Sequence, residues 1–358
     1  MQTNTSQEVQ GRAAEETAVT IKFGFDVHAT QVTSCRQIEG KLPQPAQKLT
    51  VEQVLRLVRA HVEAGAQVYT CYEAGPCGYG LHRQLGALGA TNYVVAPQRW
   101  DERGQRVKTD QRDARELCQR LDRYVRGNTE AFTVVRVPTP AQEQWRALCR
   151  QRAALLKERQ RCELRGHGLM LGQSIAAPAG WWQPATWGEV APQLPGWLRD
   201  QIARWQAEAM RFDQAVHELT PLLEAHSAGQ PVPAGLGALT NTLLESEIMD
   251  WHRFGNRRQP ASYTGLCPGE DSSGRRRRQH AVTKHGNPRL RHLLVEAIWR
   301  MVQHQPDYPP LQRIRAAHGA RERKRRVVAA ARQLAVDLWR IRTDRQTPAQ
   351  LHLRMMIH

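Results

Sequence analysis

An α/β domain followed by a mostly helical remainder is the architecture that this 358-residue chain predicts. Three observations carry that expectation. Short apolar runs with strand-like alternation concentrate before residue 137. Helical periodicities are interleaved with them, and beyond residue 139 the apolar spacing is mainly that of helices.

Residues 1–19 are polar and are expected to form a disordered leader. Residues 21–27 read as a strand and 31–38 as a second. Residues 51–64 read as an amphipathic helix, with Val51, Val54, Leu55, Leu57, Val58 and Val62 at helical spacing. A strand over Gln67–Glu73, a helix over 79–88, a short strand over 93–96 and a helix from about 110 to 124 follow. Residues 132–137 are expected as a last strand.

After residue 139, Leu148, Leu155 and Cys162 keep a seven-residue spacing, with Trp145 three positions ahead of Leu148. That predicts a long exposed helix or a short coiled coil. The Pro-, Gly- and Trp-rich stretch 172–195 breaks it, and 198–225 is helical again. Two long helices about an irregular tip make an arm, suited equally to dimerising, packing on a duplex or acting as a spacer. Trp181, Trp182 and Trp187 at that tip would either stack on bases or pack there. The expected divisions are thus 1–19, 20–137, 138–230, 231–345 and a tail over 346–358. At the start of the fourth, Gly235-Leu-Gly237 resembles a helix-hairpin-helix turn, whose backbone N–H groups can face phosphate; Gly-x-Gly is also common in ordinary turns.

Fifty-one Lys and Arg against 34 Asp and Glu leave a formal charge of +17, which implies a polyanionic partner and salt-sensitive binding. Seven cysteines, odd in number and without a CxxC pair, argue against a zinc site and a disulfide framework. Cys71 and Cys77 are expected to be small buried residues. The polar start and the lack of an 18-residue apolar run lead to the expectation of a cytoplasmic protein with no membrane segment.

Four acids are conspicuous in so basic a chain. Asp26 lies in an apolar strand, Glu73 closes another, and Asp110 and Asp113 share one face of a helix start. Carboxylates so placed can converge on Mg²⁺ (or Mn²⁺) and stabilise charge at phosphorus. Strands first, then alternation, with acids on the first strand, a later strand and a late helix, is the order of a ribonuclease-H-like fold. His28 shares a strand face with Asp26, as a hydrogen-bonded neighbour or an assisting base. Lys108, Arg112 and Arg115 surround the helix acids and are expected to neutralise phosphate.

A second constellation lies in Pro268-Gly-Glu-Asp-Ser-Ser-Gly-Arg-Arg-Arg-Arg278. Ser272 and Ser273 stand beside Arg275, Arg276, Arg277 and Arg278, a candidate clamp for phosphate. A serine attacking phosphorus needs its developing charge absorbed, which adjacent arginines can do. The competing reading is a solvated loop whose serines cap the next element. No Ser-His-Asp arrangement is visible, so acyl transfer fits poorly. Lys284 and Arg291 follow as candidate contacts to a nucleic-acid backbone, and the basic run 321–326 is either another such patch or the polar start of a closing helix over 327–339.

These motifs together resemble the insertion sequence 110 family of DEDD transposases. The N-terminal resemblance rests on Gly24-Phe-Asp-Val-His, Tyr72-Glu-Ala-Gly and Lys108-Thr-Asp-Gln-Arg-Asp-Ala. The C-terminal one rests on Tyr263-Thr-Gly-Leu-Cys-Pro-Gly-Glu-Asp-Ser-Ser-Gly, Thr283-Lys-His-Gly-Asn, Leu290-Arg-His-Leu-Leu and the helical stretch Val327–Trp339. The resemblance implies a RuvC-like domain, a coiled coil and a smaller transposase domain. It also implies a Mg²⁺-binding tetrad at Asp26, Glu73, Asp110 and Asp113, and a nucleophile at Ser272, with Ser273 beside it, that forms a phosphoserine link to DNA. A noncoding guide (bridge) RNA, dimers assembling into tetramers on DNA and a nucleoid-associated location are implied too. Pairing by that RNA would account for the lack of a helix-turn-helix or zinc finger. Glu270 and Asp271, and four successive arginines, depart from the family pattern, and 171–230 match by position alone. The alternative is a metal-dependent junction nuclease in which Ser272 is structural; a non-catalytic binder has no use for four carboxylates near phosphate.

Overall fold

A computed structural model describes residues 18–97, 109–273 and 276–357, so most of the expected leader lies outside it. The chain divides into two compact units, Met1–Val137 and Pro138–His358.

The first unit is a mixed α/β structure. Its strands are β1 (Thr20–Val27), β2 (Val32–Ile38), β3 (Gln47–Leu49), β4 (Gln67–Glu73) and β5 (Thr91–Val95); its helices are α1 (Val51–Glu63), α2 (Gly80–Ala87) and α3 (Asp110–Val125). The sheet order is β3-β2-β1-β4-β5, with β1 antiparallel to β2 and parallel to β4. The central strand β1 is covered on both faces, and its residues alternate between them: Ile21, Phe23 and Phe25 on one, Lys22, Gly24 and Asp26 on the other. Ile21, Phe23 and Phe25 pack with Val54 and Val58 of α1 and Leu81 and Leu85 of α2. A capping box between Thr50 and Gln53 starts α1.

The opposite face receives α3, and its register on β1 follows from three contacts. Lys22 Nζ meets Asp122 at 2.8 Å. Gly24 lies so close to α3 that a Cβ there would stand 2.3 Å from Cys118 N and 2.4 Å from Ala114 O. Asp26 feels the charges of Asp113 and Asp110. Helix numbers fall as strand numbers rise, so α3 runs antiparallel to β1 and its N-terminus arrives over Asp26.

Two expectations need correction here. Residues 132–137 form no strand of their own and bridge β5 only through Val95 and Val134. Cys71 is buried as expected, but Cys77 is exposed.

In the second unit, α4 (Pro140–Leu171) and α6 (Gly196–His226) are the expected long helices, with α5 (Pro184–Val190) between them. Contacts pair Trp145 with His226, Arg152 with Thr220 and Arg159 with Asp213, so the two helices are antiparallel. Cys162 joins the core at the tip with Trp181, Trp182, Leu198 and Ile202. Trp181 and Trp182 are therefore packing residues, unavailable for base stacking. Gly166 makes room for the Trp181 ring, since a Cβ there would stand 2.1 Å from it.

A bundle of α7 (Ala238–Ile248), α8 (Arg258–Tyr263), α9 (Pro288–His304), α10 (Pro309–Arg315) and α11 (Ala320–Arg342) encloses the largest core. Two small sheets complete the unit. One pairs β6 (Pro231–Pro233) with β9 (Met355–Ile357), so part of the expected tail is tied to the start of the bundle region. The other is the hairpin of β7 (Pro268–Ser273) and β8 (Arg276–Val282).

Candidate active-site acids and serine hairpin

Asp26 projects from β1 toward the N-terminus of α3. Its side chain is partly buried, as is that of Asp110, whereas His28 is exposed. His28 Nε2 lies 3.3 Å from Asp26 Oδ2 and 3.7 Å from Asp110 Oδ1. One ligand atom from each of these three side chains falls within 4.8 Å of the others, an arrangement that can hold a metal ion. Lys48, on β3, reaches Asp110 at 4.0 Å. Burial pushes the Asp26 carboxyl up from its ordinary value of 3.8, the nearby His28 lowers it, and the charges of Asp113 and Asp110 raise it again. A cation at this point would relieve that repulsion.

Parallel pairing sets Phe25 beside Tyr72, so Glu73 follows beside Asp26 at the same end of the sheet. Glu73 and Asp113 stand outside the trio defined by ligand-atom distances, and both have partners of their own. Asp110 and Asp113 occupy the first turn of α3, where the positive end of the helix dipole favours carboxylates. His28 thus belongs with the acids more closely than its sequence position alone conveys. Arg112 and Arg115 are exposed on α3, and Lys108 lies outside the described residues.

The serine motif forms a two-stranded hairpin, with Ser272 and Ser273 at the end of its first strand. Its register sets Ser272 opposite Arg277, Ser273 opposite Arg276 and Asp271 opposite Arg278. One of these pairs, Asp271 with Arg278, sets opposite charges across the strands, which favours this register. Ser272 is exposed, and its hydroxyl donates to Glu270 Oε1 at 2.7 Å. Asp271 pairs with His280 Nε2 at 2.7 Å. Arg275 lies outside the described residues.

The feet of the hairpin interlock. Gly286 packs on the Tyr263–Gly265 backbone, where a Cβ would stand 2.4 Å from Gly265 N. Asn287 N donates to Tyr263 O at 2.8 Å, and Lys284 N to Gly265 O at 3.1 Å. Lys284 is exposed at a positive φ of 57°. Arg291 directs Nη1 to the carbonyls of Thr264 and Lys284, at 3.2 and 3.3 Å, bracing the same crossing.

Gly235 and Gly237 lie between β6 and α7, a strand-to-helix turn rather than one joining two helices. Gly235, at φ 90°, backs onto α9, where a Cβ would stand 3.0 Å from Met301 Cα. Close packing is thus one reason for a glycine there.

One residue that the sequence did not single out is Glu247 on α7, whose side chain is only 3% exposed. Arg150 of α4 donates to both its carboxylate oxygens at 3.0 and 3.2 Å, and Asn287 Nδ2 donates to Oε2 at 2.7 Å. Burial alone would push this carboxyl up; the hydrogen bonds from Arg150 and Asn287, with the charges of Arg150 and Arg146, hold it below its ordinary value. Its sequence signal is weak: it is one of two acids, with Glu245, in a helix that is otherwise apolar and small-polar.

Comparison with known proteins assigns the class. The model of the "Transposase IS116/IS110/IS902 family" matches residues 233–311, which include the serine hairpin. The chain is 34% identical over 303 residues to "Putative transposase y4rJ" of Sinorhizobium fredii, covering 75% of each chain. It is 32% identical over 250 residues to "Putative transposase y4qE" of the same organism, covering 68% of this chain and 60% of that one. With the "Transposase for insertion sequence element IS1111A" of Coxiella burnetii it shares 26% identity over 293 residues, 77% of this chain and 79% of that one. Such proteins are transposases, enzymes that cleave and join DNA strands. This chain belongs to the IS116/IS110/IS902 transposase family. No helix among the described residues is long and apolar enough to cross a membrane.

Proposed function

We propose that this transposase is a DNA recombinase that cuts and rejoins strands through a serine nucleophile, assisted by a divalent metal on its acidic cluster. The observation that carries the metal half is the convergence of Asp26, His28 and Asp110. Strand order β3-β2-β1-β4-β5, with β1 parallel to β4 and acids at the ends of both, supports a ribonuclease-H/RuvC-like reading of the first unit. The two carboxylates suit Mg²⁺ or Mn²⁺, and an imidazole beside them is better matched to Mn²⁺ than to Mg²⁺. Asp26 and Asp110 would hold the ion with His28, and Glu73 and Asp113 would complete the set. When bound, the ion would supply Lewis-acid stabilisation of charge at phosphorus.

In the serine half, Ser272 Oγ attacks a DNA phosphorus, forming a serine–phosphate ester as the bond to one strand oxygen breaks. The Oγ proton passes to Glu270, its hydrogen-bond partner, and the departing strand oxygen takes a proton from water and leaves as a hydroxyl. Attack by a strand hydroxyl on the ester reverses the sequence, restoring the serine and a phosphodiester without ATP. Arg276, Arg277 and Arg278, with Arg275, neutralise the phosphate. Lys284, Arg291, Lys108, Arg112, Arg115 and the Gly235–Gly237 turn contact nucleic-acid backbone. A noncoding RNA from the element selects the DNA, and the helical arm joins protomers into dimers and tetramers. The protein works in the bacterial cytoplasm, on the nucleoid.

The products separate this reading from a metal-dependent junction nuclease. Purified protein is incubated with duplex carrying the abutted element ends, RNA transcribed from the flank and Mg²⁺. The recombinase yields rejoined strands, and Ser272→Ala abolishes both cutting and joining. Cut strands without joined ones, equally abundant with Ser272→Ala, would establish the nuclease.

A further inference from the structure

We propose that Glu247 is a positioning residue that fixes the serine hairpin to the helical arm, an inference that rests on the serine reading above. Both feet of the hairpin end on this one residue. On the β8 side, the Asn287 side chain donates to the Glu247 carboxylate. On the β7 side, the Tyr263 hydroxyl donates to the Glu247 carbonyl at 3.3 Å. The feet are also joined directly, by Asn287 N to Tyr263 O. The other side of the carboxylate is occupied by Arg150 of α4 in a two-oxygen fork, with Arg146 at 3.8 Å. Arg289 of α9 approaches at 3.9 Å.

The chemistry suits a positioning role. A buried carboxylate is tolerated only when paired, and this one meets Arg150 and Asn287 with well-formed hydrogen bonds. The two-pronged Arg150 contact fixes direction as well as distance. Asn287 has a second task, since its Oδ1 caps α9 by accepting from Arg289 N and Leu290 N at 2.9 and 3.3 Å. A single side chain therefore sets where α9 begins and where the hairpin leaves the bundle. The hairpin strands are charge-rich; at its feet Leu266 lies in the bundle core, with Tyr263 and Cys267 packed against that core. That packing holds the feet, and the polar anchors on Glu247 add direction to it and link it through Arg150 to the arm.

The test separates anchoring from capping and from folding. Asn287→Ser keeps a good helix cap but is too short to reach Glu247. Glu247→Gln, the second variant, keeps the shape and loses the charge. Full-length proteins are compared by hydrogen exchange and by single-turnover strand cleavage on saturating duplex with abutted element ends, flank RNA and Mg²⁺.

In Asn287→Ser, amide exchange over 268–282 is expected to rise about tenfold while α7, α9 and the melting temperature stay near wild type. Cleavage at saturating DNA should fall by about a hundredfold, with DNA affinity changed little. Unchanged hairpin exchange, or unchanged cleavage despite faster exchange, overturns the proposal. If Glu247→Gln does not fold, Asn287→Ser alone decides. Failure of the serine reading shows separately, as wild-type cleavage that survives Ser272→Ala; the exchange result stands or falls without it.

Discussion

Asp26→Asn is expected to lower strand cleavage by about a hundred- to a thousandfold while leaving the fold intact. Asp26 sits where burial and the charges of Asp110 and Asp113 oppose its ionisation, with His28 as partial relief. Its folded-state pKa lies above the ordinary 3.8, so its contribution to stability is largest at low pH. That contribution is lost as pH rises through the raised value. Asparagine removes this penalty, so without metal at neutral pH the variant should melt at or above the wild-type temperature.

A bound divalent ion reverses the ranking, because a ligand that binds only the native state stabilises it. Millimolar Mg²⁺ or Mn²⁺ should raise the wild-type melting temperature and leave that of Asp26→Asn unchanged. Scanning calorimetry with and without metal reads both effects. Equal metal shifts in the two proteins would remove Asp26 from the site.

Gly24→Ala is expected to destabilise the first unit by about 3 kcal/mol, near the upper end for overpacking a core. The added methyl would meet backbone atoms of α3 at 2.3 and 2.4 Å, which no rotamer change can relieve. The helix must move away from β1, and with it the turn that carries Asp110 and Asp113. The metal-dependent melting shift should therefore shrink along with the urea midpoint. Gly86→Ala in α2 is the control, since nothing lies within 4 Å of a Cβ there; its effect is expected to be about 1 kcal/mol or less, and stabilising. A Gly24→Ala protein as stable as wild type would contradict the close approach of α3.

The acids were legible because each breaks a pattern: Asp26 interrupts an apolar strand, Glu73 closes one, and Asp110 and Asp113 repeat at helical spacing. What brings them together is a different matter. It depends on Gly24, which reads as an ordinary strand glycine until α3 lies on it. β3 escaped notice because Gln47-Lys-Leu49 is too short to alternate and is half of the pairing that brings Lys48 to Asp110. Residues 132–137 have strand-like composition, yet only one bridge forms. The hairpin was hidden for the opposite reason. Glu-Asp-Ser-Ser and a run of arginines have poor strand propensity, and cross-strand partners such as Arg278 and His280 for Asp271 are not visible to a local periodicity. The partners of Glu247 lie 97 and 40 residues away in the chain, beyond any local periodicity.

The most direct measurement is mass spectrometry of covalent protein–DNA adducts. They would be trapped by denaturant during reaction of the wild-type protein with duplex carrying the abutted element ends, flank RNA and Mg²⁺. The account predicts one nucleotide-modified peptide spanning 268–278, with the phosphodiester on Ser272, and its loss in Ser272→Ala but not in Ser273→Ala. Modification of Ser273 would move the nucleophile one residue along β7. Strand cleavage with no adduct on either serine would contradict the account.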